Sequence, residues 1–205
     1  MVAIKIVVVG ASATGKSCLV SKYVDNVFYE SEPGTHQATI GASFKTKTIT
    51  IEGIEVTFNI WDTGGQQRYE CFAPTFCPGA KVAIVCFDLN KESTFETAQR
   101  WVNTLDSLVP NCKVYMCGTQ KDRVNSQQLA FSGFYARIHA FCEVIGAPFF
   151  ETSAKTNEGI HDLFNRIASS TIDYMMEIES SNKHERKAKV SKRKRLWQCC
   201  PCNLT

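Results

Sequence analysis

Apolar residues along this chain come in two alternating arrangements. Short β-rich runs appear at Ile4–Val9, Lys45–Ile51, Val56–Trp61, Val82–Phe87, Lys113–Cys117 and Pro148–Phe150. Ile4–Val9 and Val82–Phe87 are almost wholly apolar, as expected of central parallel strands covered on both faces. In Lys45–Ile51, Ile49 and Ile51 alternate with Thr48 and Thr50, and Glu52-Gly53 separates this run from Val56–Trp61, which predicts a hairpin. Between these runs, apolar residues recur at helical spacing. Gly15–Val24, Ser93–Leu108 (Phe95, Ala98, Val102 and Leu105 on one face), Leu129–Val144 and a last stretch with Ile160, Leu163, Phe164, Ile167, Ala168 and Thr171 read as helices. Strands alternating with helices predict an α/β fold: a six-stranded, mostly parallel sheet with one antiparallel strand and helices on both faces.

The junctions between these elements carry the chemistry. Gly10-Ala11-Ser12-Ala13-Thr14-Gly15-Lys16-Ser17 fits G-x-x-x-x-G-K-[ST] between a predicted strand and a predicted helix. A phosphate needs several backbone N–H groups converging on it and a cation nearby. The loop and helix N-terminus supply the first, Lys16 the second, and Ser17 offers a hydroxyl to Mg²⁺. A glycine-rich turn before an ordinary helix is the plainer reading, but it leaves Lys16 and Ser17 unexplained.

Three more segments lie in order at predicted strand ends. In Trp61-Asp62-Thr63-Gly64-Gly65-Gln66, Asp62 can hold Mg²⁺ through water, Gly65 can present its N–H to a γ-phosphate, and Gln66 can orient an attacking water. In Thr119-Gln120-Lys121-Asp122, the Asp122 carboxylate can accept two hydrogen bonds from the guanine edge, a pair that adenine cannot supply. In Glu151-Thr152-Ser153-Ala154-Lys155, the Ala154 N–H can meet the guanine O6. Taken alone, each is also a common turn. Together they stand where open α/β sheets bind ligands.

Composition adds an asymmetry. Residues 183–205 hold eight Lys and Arg against one acid, a net +7, within a total of +3, which leaves −4 for residues 1–182. A basic tail on a mildly acidic body points the tail at a negatively charged surface. The ordered domain is expected over 1–176, with 177–205 as a flexible tail. No apolar run approaches the ~18–20 residues that cross a bilayer. The N-terminus reads as a strand and not as a signal peptide, and Val2 excludes N-myristoylation. Cys18, Cys71, Cys77, Cys86, Cys112, Cys117 and Cys142 are scattered among apolar residues, as free thiols are in a reducing compartment. Cys199, Cys200 and Cys202 crowd the tail behind Lys192-Arg193-Lys194-Arg195. Too few ligands lie nearby for a zinc knuckle.

The four ordered motifs resemble those of the Ras superfamily over residues 4–176. Within it the Rab branch fits best, through Ile40-Gly41-Ala42-Ser43-Phe44, Ile60-Trp61-Asp62-Thr63, Gln66-Gln67-Arg68-Tyr69 and Pro78-Gly79-Ala80. The match leans to endocytic and autophagic Rabs, nearest the subgroup numbered twenty-four. The resemblance implies a P-loop small GTPase that cycles between GTP and GDP, hydrolyses GTP slowly and recruits effectors in vesicle trafficking. The implied nucleotide contacts are Ser12, Ala13, Thr14, Gly15, Lys16, Ser17, Cys18, Phe28, Thr39, Gly65, Thr119, Gln120, Asp122, Ser153, Ala154 and Lys155. Ser17, Thr39 and Asp62 would surround Mg²⁺, with Gln66 catalytic. Phe28 would stack on guanine, or serve as a core phenylalanine. Phe44, Trp61 and Tyr69 would display the nucleotide state to effectors, with core packing the alternative for all three and above all for Trp61.

Departures accompany the match. Thr119 and Gln120 stand where Asn and Lys are usual, as the Rho branch tolerates, and imply faster exchange. Gly64 and Gln67 replace Ala and Glu, and Tyr29–Ala38 makes a long first switch. Ser12, beside the γ-phosphate, is compatible with slow hydrolysis. Implied partners are an exchange factor, a GTPase-activating protein, effectors, a Rab escort protein and a GDP-dissociation inhibitor. The resemblance implies no nucleic-acid partner and a monomeric chain. Cys199-Cys200, with Cys202-Asn-Leu-Thr behind, loosely fits the prenylated Rab ending, and would place the protein on the cytoplasmic face of an intracellular membrane. The alternatives are a nucleotide-binding scaffold with little hydrolysis and a Rho-like GTPase. A P-loop kinase would need a lid and an acceptor site, for which no signature is present.

Overall fold

A computed structural model describes residues 2–28, 39–66, 72–124 and 133–177. The long first-switch segment Tyr29–Ala38, Gln67, Arg68, Tyr69, Cys71 and the tail with Cys199, Cys200 and Cys202 lie outside the described residues. The chain falls into two units, Met1–Asn165 and Arg166–Thr205.

The first unit is built on a six-stranded sheet. Its strands are β1 (Val2–Gly10), β2 (Ala42–Ile51), β3 (Ile54–Thr63), β4 (Val82–Asp88), β5 (Lys113–Thr119) and β6 (Phe149–Glu151), in the order β2-β3-β1-β4-β5-β6. All neighbours are parallel except β2 and β3, whose register runs from Ala42↔Thr63 to Ile51↔Ile54. The antiparallel pair is closed by a two-residue turn, with Glu52 at φ 51° and Gly53 at φ 78°. Two positive φ values in succession match the right-handed twist of the flanking strands. The sheet is the one expected from the sequence. Its strands run one to three residues past the apolar runs, because pairing with a neighbour, and not hydrophobicity, ends a strand.

The helices of this unit are α1 (Lys16–Asp25), α2 (Ala73–Phe76), α3 (Glu92–Leu108), α4 (Phe134–Val144) and the start of α5, which covers 160–177. Side-chain alternation along the central strands feeds both faces. Val7, Val9, Ala83, Val85, Phe87 and Met116 join Phe95, Ala98, Trp101 and Leu105 of α3 and Phe134, Ile138 and Cys142 of α4 in one buried cluster. On the opposite face Phe58 meets Tyr23 of α1 and Phe164 of α5, and Tyr23 stacks on Phe164 at 3.6 Å between centroids.

Two helical expectations change. Of the helix expected over Leu129–Val144, residues 129–132 lie outside the described residues; α4 itself starts at Phe134, because Gly133 sits at φ 66°, a conformation no helix interior adopts. The short α2 was not foreseen: its four residues carry no amphipathic period, and only Pro74 near its start marks it. Among the described cysteines, Cys77, Cys86, Cys117 and Cys142 are buried and Cys18 and Cys112 half-buried, and all are free thiols. The second unit is helical to residue 177, with Ile167, Ala168 and Ile172 buried at helical spacing and Tyr174, Met175 and Met176 exposed. No described helix is long and apolar enough to cross a membrane.

Candidate functional site

The four sequence motifs converge at the C-terminal edge of the sheet. β1 delivers its last residue, Gly10, against β4: a Cβ there would lie 2.1 Å from the Cys86 carbonyl oxygen, so only glycine fits. The chain then turns through Ala13 at φ 59° and Gly15 at φ 77° before entering α1. Left-handed residues within such a turn aim successive amides at a common point, an anion cradle completed by the helix N-terminus. Ser12 and Ala13 are exposed on its outer side and Thr14 is buried, its hydroxyl donating to Ala11 O at 2.9 Å.

Lys16 closes the cradle from within. Its ammonium donates to Gly10 O at 2.9 Å and Ala11 O at 2.7 Å, and the residue is 5% exposed. Burial lowers its pKa, opposed by the neighbouring Cys86 and Asp62. A buried ammonium that, among the described residues, hydrogen-bonds only to carbonyls invites an anion. Gly65 faces the same spot: a Cβ on it would lie 2.3 Å from Lys16 Nζ and 2.5 Å from Ala11 O. Its neighbour Gly64 donates its N–H to Gly41 O at 2.7 Å, which ties the segment after Thr39 to the end of β3.

Three hard oxygen ligands meet beside the cradle. Ser17 Oγ donates to Asp62 Oδ2 at 2.6 Å and lies 2.9 Å from Thr39 Oγ1. Asp62 Oδ1 is buried without a hydrogen-bond partner among the described residues. Burial raises the Asp62 pKa, against the Ser17 hydrogen bond and the Lys16 charge that favour the carboxylate. A buried carboxylate with one orphaned oxygen, its other oxygen on Ser17 Oγ and Thr39 Oγ1 next to that hydroxyl, is a set of hard oxygen donors that fits a small divalent cation such as Mg²⁺. Cys18 follows Ser17, half-buried, with its thiol pushed up by burial and by Asp62. Gln66 is half-buried one residue past Gly65, and Phe28 is half-buried beyond α1.

The base-recognition segments sit on the other side of the loop. Thr119 Oγ1 lies 2.6 Å from Thr14 O and 2.9 Å from Phe87 O, so its one proton bonds the phosphate loop most closely. Gln120, at φ 59°, donates Nε2 to Ala13 O at 3.2 Å. Asp122 is exposed, and its Oδ1 accepts from the buried Ser153 Oγ at 2.6 Å. Ser153 in turn accepts from Thr156 N at 3.2 Å. The hydroxyl thus fixes one carboxylate oxygen and leaves the carboxylate facing outward. Ala154 and Lys155 follow directly, half-buried and exposed.

Lys121 Nζ pairs with Glu158 at 2.6 Å and Glu151 at 3.2 Å, joining the turn after β5 to the loop after β6. The hydrogen bond that Lys121 donates to Glu158 is the main cause of its raised pKa. Charges thirty or more residues apart give no sequence signal until the sheet order brings their loops together.

Of the expected site residues, the fold therefore gathers Ser17, Thr39 and Asp62 around one point. It sets Lys16 and Gly65 face to face, and it brings Thr119 and Gln120 onto the loop and Asp122 onto Ser153. The family model described as the Ras family matches residues 5–173. A match over most of the chain, on a sheet of this order with these motifs at its edge, means that the chain belongs to the Ras family of small GTPases, switches that bind and hydrolyse GTP and answer to exchange factors, activating proteins and effectors.

Proposed function

We propose that this protein is a Rab-type GTPase that recruits effectors to an endosomal or autophagic membrane. The observation that carries this reading is the aromatic surface next to the first switch. Phe44 is 53% exposed, lies 5.3 Å from Trp61 between ring centroids, and follows Ile40, which is 82% exposed. Trp61 continues to Phe76 at 6.1 Å. Exposed large apolar side chains in a contiguous group mark a docking surface. This group is attached to both nucleotide-sensing segments through β2, β3 and the Gly64–Gly41 hydrogen bond.

In this reading each residue has a defined task. The loop amides of Ala13 to Cys18 hold the phosphates, and Lys16 exchanges its carbonyl partners for β- and γ-phosphate oxygens. Ser17, Thr39 and Asp62 would hold Mg²⁺, which when bound neutralises charge on those oxygens. Gly65 donates its N–H to the γ-phosphate, and Gln66 orients the attacking water. Asp122 and the Ala154 N–H read guanine, Ser153 and Lys155 support that reading, and Phe28 covers the ring edge. Loss of the γ-phosphate releases Thr39 and Gly65 together and slackens the aromatic surface.

The basic tail and Cys199, Cys200 and Cys202 anchor the protein by two signals, lipid and charge. Rab escort protein and GDP-dissociation inhibitor are the partners such a tail requires. Locating the tagged wild-type chain beside a Cys199/Cys200/Cys202→Ser variant tests the anchor. Membrane association lost in the variant supports it, and unchanged association refutes it.

A further inference from the structure

Gln120 is the centre of a closed ring of hydrogen bonds beneath the proposed nucleotide site. Besides its bond to Ala13 O, its Nε2 donates to Asp88 Oδ2 at 3.0 Å, and its Oε1 accepts from Arg123 Nη1 at 2.6 Å. Asp88 is the last residue of β4 and is 9% exposed. Its other oxygen accepts from Asn90 N at 2.9 Å and Asn90 Nδ2 at 3.0 Å. Asn90 Nδ2 also lies 3.2 Å from Gln120 O, which closes the ring. Thr94, in the first turn of α3, accepts the Asp88 N–H at 2.9 Å and fixes the strand end.

The geometry of Gln120 explains why Asp88 matters. Arg123 pulls the carbonyl end of the carboxamide toward the exposed side. Asp88 holds the amide end, and with it the bond to the phosphate loop. Hydrogen bonds to an ionised, largely buried carboxylate are stronger than those between neutral groups. We propose that Asp88 is a positioning residue. Through Gln120 it holds the base-recognition turn against the phosphate loop, and so sets how long guanine nucleotide stays bound. The proposal rests on the reading of the loop and Asp122 as the two ends of one nucleotide site. A nucleotide leaves when those ends separate, so a bond between them slows its exit.

The chemistry makes a selective test possible. Asp88 accepts at both oxygens. A carboxamide at this position must turn its donor end toward either Gln120 or Asn90, both of which already donate. Full-length protein loaded with fluorescent GDP in Mg²⁺ buffer is chased with excess unlabelled GDP. Asp88→Asn should release GDP about tenfold faster, the effect expected of losing one charge-assisted hydrogen bond. Asp88→Glu, which keeps the carboxylate, should restore most of the retention. Gln120→Ala should also release faster, and Asp88→Asn/Gln120→Ala no faster than the faster single variant, because both act through one bond. Gln120→Met, which keeps length without the donor, carries the same prediction should Asp88→Asn not fold. Wild-type release from either Asp88→Asn or Gln120→Met overturns the latch, as does a double variant whose factor is the product of the singles. A wild-type chain that holds no guanine nucleotide overturns the site reading itself and the latch with it.

Discussion

At the scale of single residues, the site is defined by groups that are costly to bury without a ligand. Among the described residues the Lys16 ammonium hydrogen-bonds only to carbonyl oxygens, and Asp62 Oδ1 has no hydrogen-bond partner. Charged groups are kept in such places when something else completes them. Gly65 belongs to the same logic, since the space a Cβ would take is shared with Lys16 Nζ and Ala11 O. Gly65→Ala should therefore force the end of β3 away from the loop. Overpacking of this kind costs about 1–3 kcal/mol. The cost falls on the state in which Gly65 must approach the γ-phosphate. Affinity for a non-hydrolysable GTP analogue should drop roughly tenfold more than affinity for GDP, measured by titration of the same preparation. An equal loss for both nucleotides would remove Gly65 from γ-phosphate sensing.

At the scale of elements, the aromatic residues divide into those that build the fold and those that decorate it. Phe87 of β4 is fully buried between Phe95 of α3 and Phe149 of β6. Phe44 of β2 touches Trp61 and is half exposed. Phe87→Ala should lower the folding free energy by about 3–5 kcal/mol, the cost of an unfilled aromatic site. Phe44→Ala should change it by no more than ~0.5 kcal/mol. Urea unfolding of the GDP-bound protein separates the two, and a large loss for Phe44→Ala would make that residue structural. The sequence pattern showed Phe87 as buried because Val82–Phe87 is apolar throughout. It left Trp61 open between core and surface, because an edge hairpin alternates and its exposed face depends on what else covers it. The same limit applied to α2, too short to have a period, and to α4, whose start was masked by apolar residues ahead of Gly133. Motif residues at strand ends were legible because each motif carries its own spacing. The Asp88–Gln120 and Lys121–Glu158 contacts were not, because they depend on which loops the strand order makes neighbours.

At the scale of the whole molecule, a parallel sheet turns four separate segments into one edge. β1, β3, β5 and β6 all end there, so the loops after them share a site without being near one another in sequence. The rest of the chain adds charge separation, with a net −4 over residues 1–182 and +7 beyond. A basic, cysteine-bearing tail behind an acidic body is the charge pattern on which the proposed membrane anchor rests. The account as a whole stands on the claim that this edge selects guanine, and that Asp122, fixed by Ser153, makes the selection. Binding of GTP and xanthosine triphosphate to the wild-type chain and to Asp122→Asn measures this most directly. The account predicts that the wild type prefers GTP, and that Asp122→Asn reverses the preference by at least roughly tenfold, since the carboxamide can donate to the xanthine oxygen. A variant that keeps the wild-type preference for GTP, or a wild type that does not distinguish the two, would contradict it.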